Sequence, residues 1–184
     1  MCRHFVLLKD DFNRFSFLPG FEPSVFFDMD VKAGMDCYGL VLKDGVLSLE
    51  RKRFGMSLPS GFVYNARSEN VTLKKTVFAD FFKTDRIVVP CSGFFEEDRH
   101  GKEHYFLPED ELLYMCGLYQ EGNLVLLTRP ADETVSFFHK RMPLLIHRKD
   151  IPLYLDLRNG TFLFDILEKP VVKNPETSDQ LSLF

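Results

Sequence analysis

Cys37-Tyr38-Gly39-Leu40-Val41-Leu42, followed by Lys43-Asp44-Gly45 and then Val46-Leu47-Ser48-Leu49-Glu50, is the stretch from which the fold is first legible. Two β-prone runs flank an Asp-Gly pair, and Asp-Gly between such runs is a strong hairpin signal. Working outward, residues 86–90 read as a buried strand, followed after Cys91-Ser92 by Gly93-Phe94-Phe95-Glu96. Further strands are predicted at 104–107, 112–118 and 124–128, the last two joined across a loop that contains Gly122. This succession of antiparallel-looking strands implies a curved or closed sheet. A helix is predicted over 75–83, where Val77, Phe78, Phe81 and Phe82 fall on one 3.6-period stripe. A second is predicted over 132–138, with Asp132 as its N-cap after Pro130.

The chain has 184 residues, which by length is one domain able to bury its own core. Hydrophobic residues make up 45% and charged residues 27%, values that exclude a mostly disordered, collagenous or repeat-fibrous protein. Aromatic surface is carried almost entirely by Phe, with 20 Phe, 6 Tyr and no Trp. The net charge of -4 does not advertise a polyanion partner, yet nine Lys or Arg against five acids between Lys43 and Arg86 give a local basic face that permits nucleic acid. Cys2, Cys37, Cys91 and Cys116 are widely spaced and form no C-x-x-C, so neither a zinc site nor a disulfide framework is predicted, and no metal or cofactor is expected. Free thiols fit a reducing cytoplasm. The apolar run Phe5-Val6-Leu7-Leu8 ends at Lys9-Asp10-Asp11, too short for a signal sequence, and no stretch is long enough for a membrane span. A cytoplasmic location without membrane contact is the expectation.

Cys2 is the most informative position. Removal of the initiator Met would leave it as the first residue, with an α-amine (ordinary pKa about 7.7 to 8.0) beside a thiol (about 8.5). Such a pair condenses with an aldehyde to a Schiff base, which the thiol closes into a thiazolidine ring. Position alone favours an incidental thiol on a frayed terminus, which is what most proteins with Cys at residue 2 carry.

Three internal segments bear on the choice. Asn65-Ala66-Arg67-Ser68-Glu69 follows Phe54-Gly55-Met56-Ser57-Leu58-Pro59; then come Val89-Pro90-Cys91-Ser92-Gly93-Phe94-Phe95-Glu96 and His139-Lys140-Arg141-Met142-Pro143. With Met1-Cys2 at the start, this order resembles the SRAP family, the abasic-site processing proteins also called SOS response-associated peptidases, whose motifs are written MCGRF, WGLIPSW, NARSE, VPADGFYEW and HDRMP. The similarity runs from Cys2 to about Leu155. It implies one α+β domain, 1–168, built around an antiparallel, partly closed β-sheet with a few flanking helices. It further implies a DNA-damage and SOS-response role in which Cys2 crosslinks covalently to the ring-opened aldehyde of an abasic site in single-stranded DNA. Under the resemblance Asn65 orients the cysteine and sugar, Glu96 shuttles protons, and His139 assists ring opening. Arg67, Arg141 and His4, which stands where the motif has Arg, are the implied DNA-binding residues. A lyase activity and autopeptidase removal of Met1 are further implied activities.

Each residue also has a plainer reading. Glu96 reads alone as a surface carboxylate, His139 as a helix C-terminal histidine, Asn65 as a turn residue and Arg67 as an ion-pair partner of Glu69. His100, His104 and His147 match no motif and are expected at the surface. The sequence departs from the motifs at Arg3 and His4, at Phe54, and at Glu97, which adds a negative charge beside Glu96. Two other functions compete: a thiol peptidase using Cys2, His139 and Glu96, and a non-catalytic adaptor for nucleic acid or a replication partner. Residues 169–184 read as a flexible tail, ending in Gln180-Leu181-Ser182-Leu183-Phe184. That ending resembles the QL(S/D)LF peptide by which bacterial repair proteins dock on the sliding clamp, with Gln180, Leu181, Leu183 and Phe184 as the implied contacts.

Overall fold

The computed structural model describes residues 2–72, 76–109, 112–167 and 170–174. In chain order the first strands are β1 (His4–Leu7), β2 (Met29–Lys32), β3 (Asp36–Lys43), β4 (Val46–Phe54) and β5 (Met56–Leu58). They are followed by β6 (Gly61–Val63), β7 (Asn65–Arg67), β8 (Arg86–Cys91), β9 (Gly93–Glu97) and β10 (Glu103–Pro108). The last are β11 (Leu113–Gln120), β12 (Asn123–Pro130), β13 (Arg141–Pro143), β14 (Leu145–Ile146) and β15 (Val172–Lys173). Helices α1 (Ser68–Thr72), α2 (Val77–Thr84), α3 (Glu133–Ser136), α4 (Ile151–Leu155) and α5 (Leu163–Ile166) are short.

β3 and β4 pair from Asp36↔Arg53 to Lys43↔Val46. Asp44 (φ 51°) and Gly45 (φ 77°) both lie in the left-handed region, as a tight two-residue turn requires. β8 lies between β3 and β11, and all six of its residues are buried. Alternate side chains explain its unbroken apolar run: Ile87 and Val89 enter one core, Val88 the other.

The larger sheet has the order β13-β12-β4-β3-β8-β11-β14, with β7 added on β12. β12 also pairs with β11, so the path turns back on itself. The return is narrow, because β12 meets β4 only at Asn123↔Arg53 and Leu124↔Phe54, and β3 meets β8 only at Leu40↔Val88. The sheet is therefore partly closed and not a true barrel. It is also mixed: β12 runs parallel to β4 and to β7.

The second sheet, β15-β10-β9-β1-β2, packs on one face of the first. The core between them joins Phe5, Phe94 and Phe106 to Ile87, Val89, Met115 and Leu126, and it includes Cys2. On the far face, Phe12 and Phe15 of a 3-10 segment and Phe81, Phe82, Tyr154 and Leu163 of the helices cover Leu40, Val88 and Leu127. Many of the Phe residues thus serve packing; Phe12 stacks on Phe26 at 4.3 Å between centroids.

Three expectations shift at the edges. α2 begins at Val77, because Thr76 is its N-cap, accepting from the Ala79 N–H at 3.3 Å; Lys75 lies outside the described residues. α3 is capped by Asp132 as expected, but it stops at Ser136, where the N–H groups of Phe138 and His139 both return to the Val135 carbonyl and turn the chain toward β13. Val172 and Lys173 are strand, not tail: they pair with Pro108 and Leu107, and Val172 is buried. Residues 175–184, and with them the predicted clamp peptide, lie outside the described residues.

Candidate active site

The antiparallel pairing of β1 with β9 (His4↔Phe95, Phe5↔Phe94) brings the start of the chain beside Glu96. Cys2 is fully buried there, near enough to the Glu96 carboxylate for its charge to act on the thiol. Its thiol points to the His4 carbonyl, 3.7 Å away. From the other sheet, Asn65 opens β7, where parallel pairing with Leu126 holds it, and its Nδ2 donates to the Cys2 carbonyl at 2.7 Å. His139 leaves the turn after α3 with Nδ1 3.4 Å from Glu96 Oε2. The same nitrogen lies 2.8 Å from the Arg141 carbonyl oxygen and 3.1 Å from its amide nitrogen. Cys2, Asn65, Glu96 and His139 therefore converge from four separate stretches of the chain.

Burial dominates the electrostatics. It pushes the Glu96 carboxyl up to about 7. The neighbouring Glu97 is not among the causes of this shift; its carboxylate pairs with Arg3. Burial also drives the Cys2 thiol well above its ordinary value, and the nearby Glu96 and Cys91 add to the shift. The His139 imidazole is held below its usual value, again chiefly by burial. At neutral pH the site contains a protonated thiol, a neutral imidazole and a carboxyl group poised to take or give a proton.

The site lies at a cleft of about 740 Å³ lined by Arg3, Tyr64, Arg67, Glu97, His139 and Lys140. A second cavity of about 540 Å³, lined by His4, Lys32, Phe62 and Glu103, shares Arg3 and Tyr64 with it. Of the three implied DNA-binding residues, Arg67 is exposed and makes no ion pair among the described residues. Arg141 is already engaged: its guanidinium binds both oxygens of Glu69 (2.5 and 2.9 Å) and the Thr128 carbonyl (2.6 Å), holding the Glu69 carboxyl at about 2. Glu69 thus pairs with Arg141 and not with Arg67. His4 is buried, stacked on Phe95 and flanked by Asp30 and Glu103, so it builds the wall beneath the second cavity.

Two features escaped the sequence reading. His104, expected at the surface, is buried: it faces Glu96 across β9 and β10, pairs with Asp98 at 3.1 Å and packs on Phe138. The available signal was the alternation of β10, which puts His104 on the same face as the core residue Phe106. The other is the Arg3–Glu97 ion pair, in which two of the motif departures bind each other.

Two packed sheets closing over a cysteine at the chain's start, with a buried carboxyl and an imidazole beside it, define a cysteine-centred α+β protein. Residues 51–178 match the family described as SOS response associated peptidase (SRAP), and the chain belongs to that family. This gives it, at family level, a DNA-repair-associated function of the abasic-site processing type. No curated protein matches the chain. Among solved structures it resembles a phage-related protein from Bordetella bronchiseptica (TM-score 0.75, 16% identity, 94% of this chain and 93% of that one). A second protein from that organism is also similar (TM-score 0.66, 21%, 94% and 99%), as is one from Bacteroides thetaiotaomicron (TM-score 0.65, 16%, 94% and 91%). At these identities the likeness concerns the fold. Among the described residues no group of His, Cys, Asp or Glu is placed to hold a metal ion, and no helix is long and apolar enough to cross a membrane.

Proposed function

We propose that, once Met1 is removed, Cys2 forms a thiazolidine with the ring-opened aldehyde of an abasic site in single-stranded DNA. The observation that carries this reading is the convergence on Cys2 of Glu96, near enough for its charge to raise the thiol, and of Asn65, which holds the Cys2 carbonyl at 2.7 Å, because the Cys2 nitrogen becomes the α-amine of the mature chain. Glu96 then accepts a proton as the amine attacks the aldehyde carbon, and returns one to the carbinolamine hydroxyl, which leaves as water. The thiol adds to the resulting imine carbon; its proton passes to the imine nitrogen, and the five-membered ring closes. Overall one water is released and no oxidant or cofactor is consumed. Asn65 fixes the Cys2 carbonyl so that amine and thiol face the same carbon, a positioning contribution. His139 exchanges a proton with Glu96 and serves the opening of the sugar.

A thiol peptidase is less well supported. The thiol donates to the His4 carbonyl, while His139 Nδ1 is shared between Glu96 and the Arg141 main chain, so the imidazole is not set against sulfur. The reading extends to partners: single-stranded DNA at the cleft, and a bacterial sliding clamp at Gln180, Leu181, Leu183 and Phe184.

The test is incubation with a uracil-excised single-stranded oligonucleotide, followed by denaturing electrophoresis and intact mass. A heat-stable adduct of protein plus DNA minus one water is expected. The same adduct with Cys2→Ser would overturn the thiazolidine, since a hydroxyl closes the corresponding ring poorly.

A further inference from the structure

We propose that the Arg3–Glu97 ion pair is an exchange site for the DNA backbone: a phosphate entering the cleft takes Arg3 from Glu97. Arg3 is then a phosphate-binding residue, and Glu97 is the anion that an incoming strand must displace. The inference rests on the reading that a single strand enters this cleft.

Position carries the first part of the case. Arg3 is the chain neighbour of Cys2, and Glu97 is the neighbour of Glu96, so the pair sits beside the reacting groups. Both line the main cleft, and Arg3 also lines the second cavity, at the boundary a strand crosses in passing from one to the other. The pair is not required to set strand register, which His4↔Phe95, Phe5↔Phe94 and Val6↔Gly93 already fix.

Energetics carries the second. The Arg3 side chain is 55% exposed and that of Glu97 36%, so the pair is wet and worth little, and it is open to exchange. A phosphodiester offers a guanidinium two acceptor oxygens in the same fork geometry as a carboxylate. Two charged groups lining the same cleft are committed elsewhere. Asp98 accepts from the N–H groups of His100 (2.8 Å) and Lys102 (3.0 Å) and pairs with His104, while Arg141 is clamped on Glu69. Neither is placed to substitute for Arg3 or Glu97 in the exchange.

The test is a double-mutant cycle read by fluorescence anisotropy with an undamaged, fluorescein-labelled oligo-dT strand across a salt series. Glu97→Gln should tighten binding by about two- to fivefold, the range of an exposed ion pair. Arg3→Ala should weaken binding and make the salt slope shallower by about 0.7, the loss of one phosphate contact on a single strand. The decisive comparison is Glu97→Gln in the Arg3→Ala background, where the gain should largely vanish. An equal gain in both backgrounds would show that Glu97 merely repels DNA and would overturn the exchange, as would failure of every variant to bind the strand. Because both side chains are solvent-facing, unchanged melting temperatures are expected and check that the fold is intact. Crosslinking to an abasic strand is scored separately: loss of crosslinking throughout, with the anisotropy coupling retained, refutes the thiazolidine reading and leaves the exchange standing.

Discussion

Asn65 Nδ2 donates to the Cys2 carbonyl at 2.7 Å, and this one bond ties the start of the five-stranded sheet to a strand of the eight-stranded sheet at the reacting centre. The two packed layers thereby set where the Cys2 nitrogen lies relative to Glu96.

Replacing Asn65 with Ala removes that tie. Crosslinking under single-turnover conditions should slow by about 10- to 100-fold, the cost of misplacing a reacting group by about an ångström. Stability should fall by about 1 kcal/mol for the lost buried hydrogen bond. A rate unchanged by Asn65→Ala, with the protein folded, would remove Asn65 from the site.

Glu96 gives stability a characteristic pH dependence. Its carboxyl titrates near 4.5 in the unfolded chain and about 7 in the folded protein, so between these values the native state binds the extra proton. Stability from this group is full below about pH 4.5 and is lost as pH rises through 7, opposite in sign to an ordinary paired carboxylate. Urea melts from pH 4.5 to 8 should show the decline, and Glu96→Gln should flatten it. The same substitution should slow crosslinking by about 100-fold and abolish its pH dependence near 7.

The sequence exposed the parts of the fold whose cause is local. The Asp44-Gly45 turn and the apolar run of β8 follow from backbone preference and side-chain alternation, and the ordered motifs pick out Cys2, Asn65, Glu96 and His139 before any geometry is known. What stayed hidden depends on contacts between distant segments. Nothing within β12 announces that it pairs in parallel with β7, yet that pairing places Asn65. Nothing near Arg3 names Glu97 as its partner, and the burial of His104 follows from the sheet packed over it. The seat of Val172 and Lys173 on β10 was equally invisible, since two residues carry no periodicity.

Arg67 and Arg141 should separate cleanly. Arg67→Ala should weaken single-strand binding and reduce the salt slope by about 0.7, because its charge is exposed and uncommitted. Arg141→Ala should leave that slope nearly unchanged and instead destabilise the fold by about 1 kcal/mol, since its hydrogen bonds to Thr128 are lost. Anisotropy across a salt series, paired with urea melts, decides between these outcomes; a slope change with Arg141→Ala matching that of Arg67→Ala would reverse the roles.

Gly55 joins Phe54 to the β5–β6 hairpin with φ +105°, and a Cβ there would lie 2.2 Å from the Phe62 ring. Its N–H also donates to the Leu124 carbonyl at 2.7 Å, so the backbone cannot shift freely. Gly55→Ala should therefore cost about 1 to 2 kcal/mol in backbone strain and displace Phe62. Because the same hairpin delivers Tyr64 and Asn65, crosslinking should slow as well. Thermal melts and single-turnover rates measured together test the coupling; lost stability with an unchanged rate would show that the hairpin does not position the site.

The terminal pentapeptide should affect recruitment and not chemistry. The chain is anchored through Val172 and Lys173 on β10, and Asn174 is buried, so the sequence available as a tether is 175–179, Pro-Glu-Thr-Ser-Asp. Five residues span at most about 18 Å, enough to offer Leu183 and Phe184 to an apolar pocket on a partner while Gln180 supplies amide hydrogen bonds. Tethering at a replication fork would raise the local concentration of the protein where single-stranded abasic sites arise. Deleting 180–184 should abolish capture by a purified bacterial sliding clamp and leave the rate of Cys2 crosslinking to a free oligonucleotide within about twofold, since no tether operates there. Leu183→Ala with Phe184→Ala should reproduce the binding loss without shortening the chain. If either change lowers the melting temperature and the crosslinking rate together, these residues belong to the core, and the docking role fails.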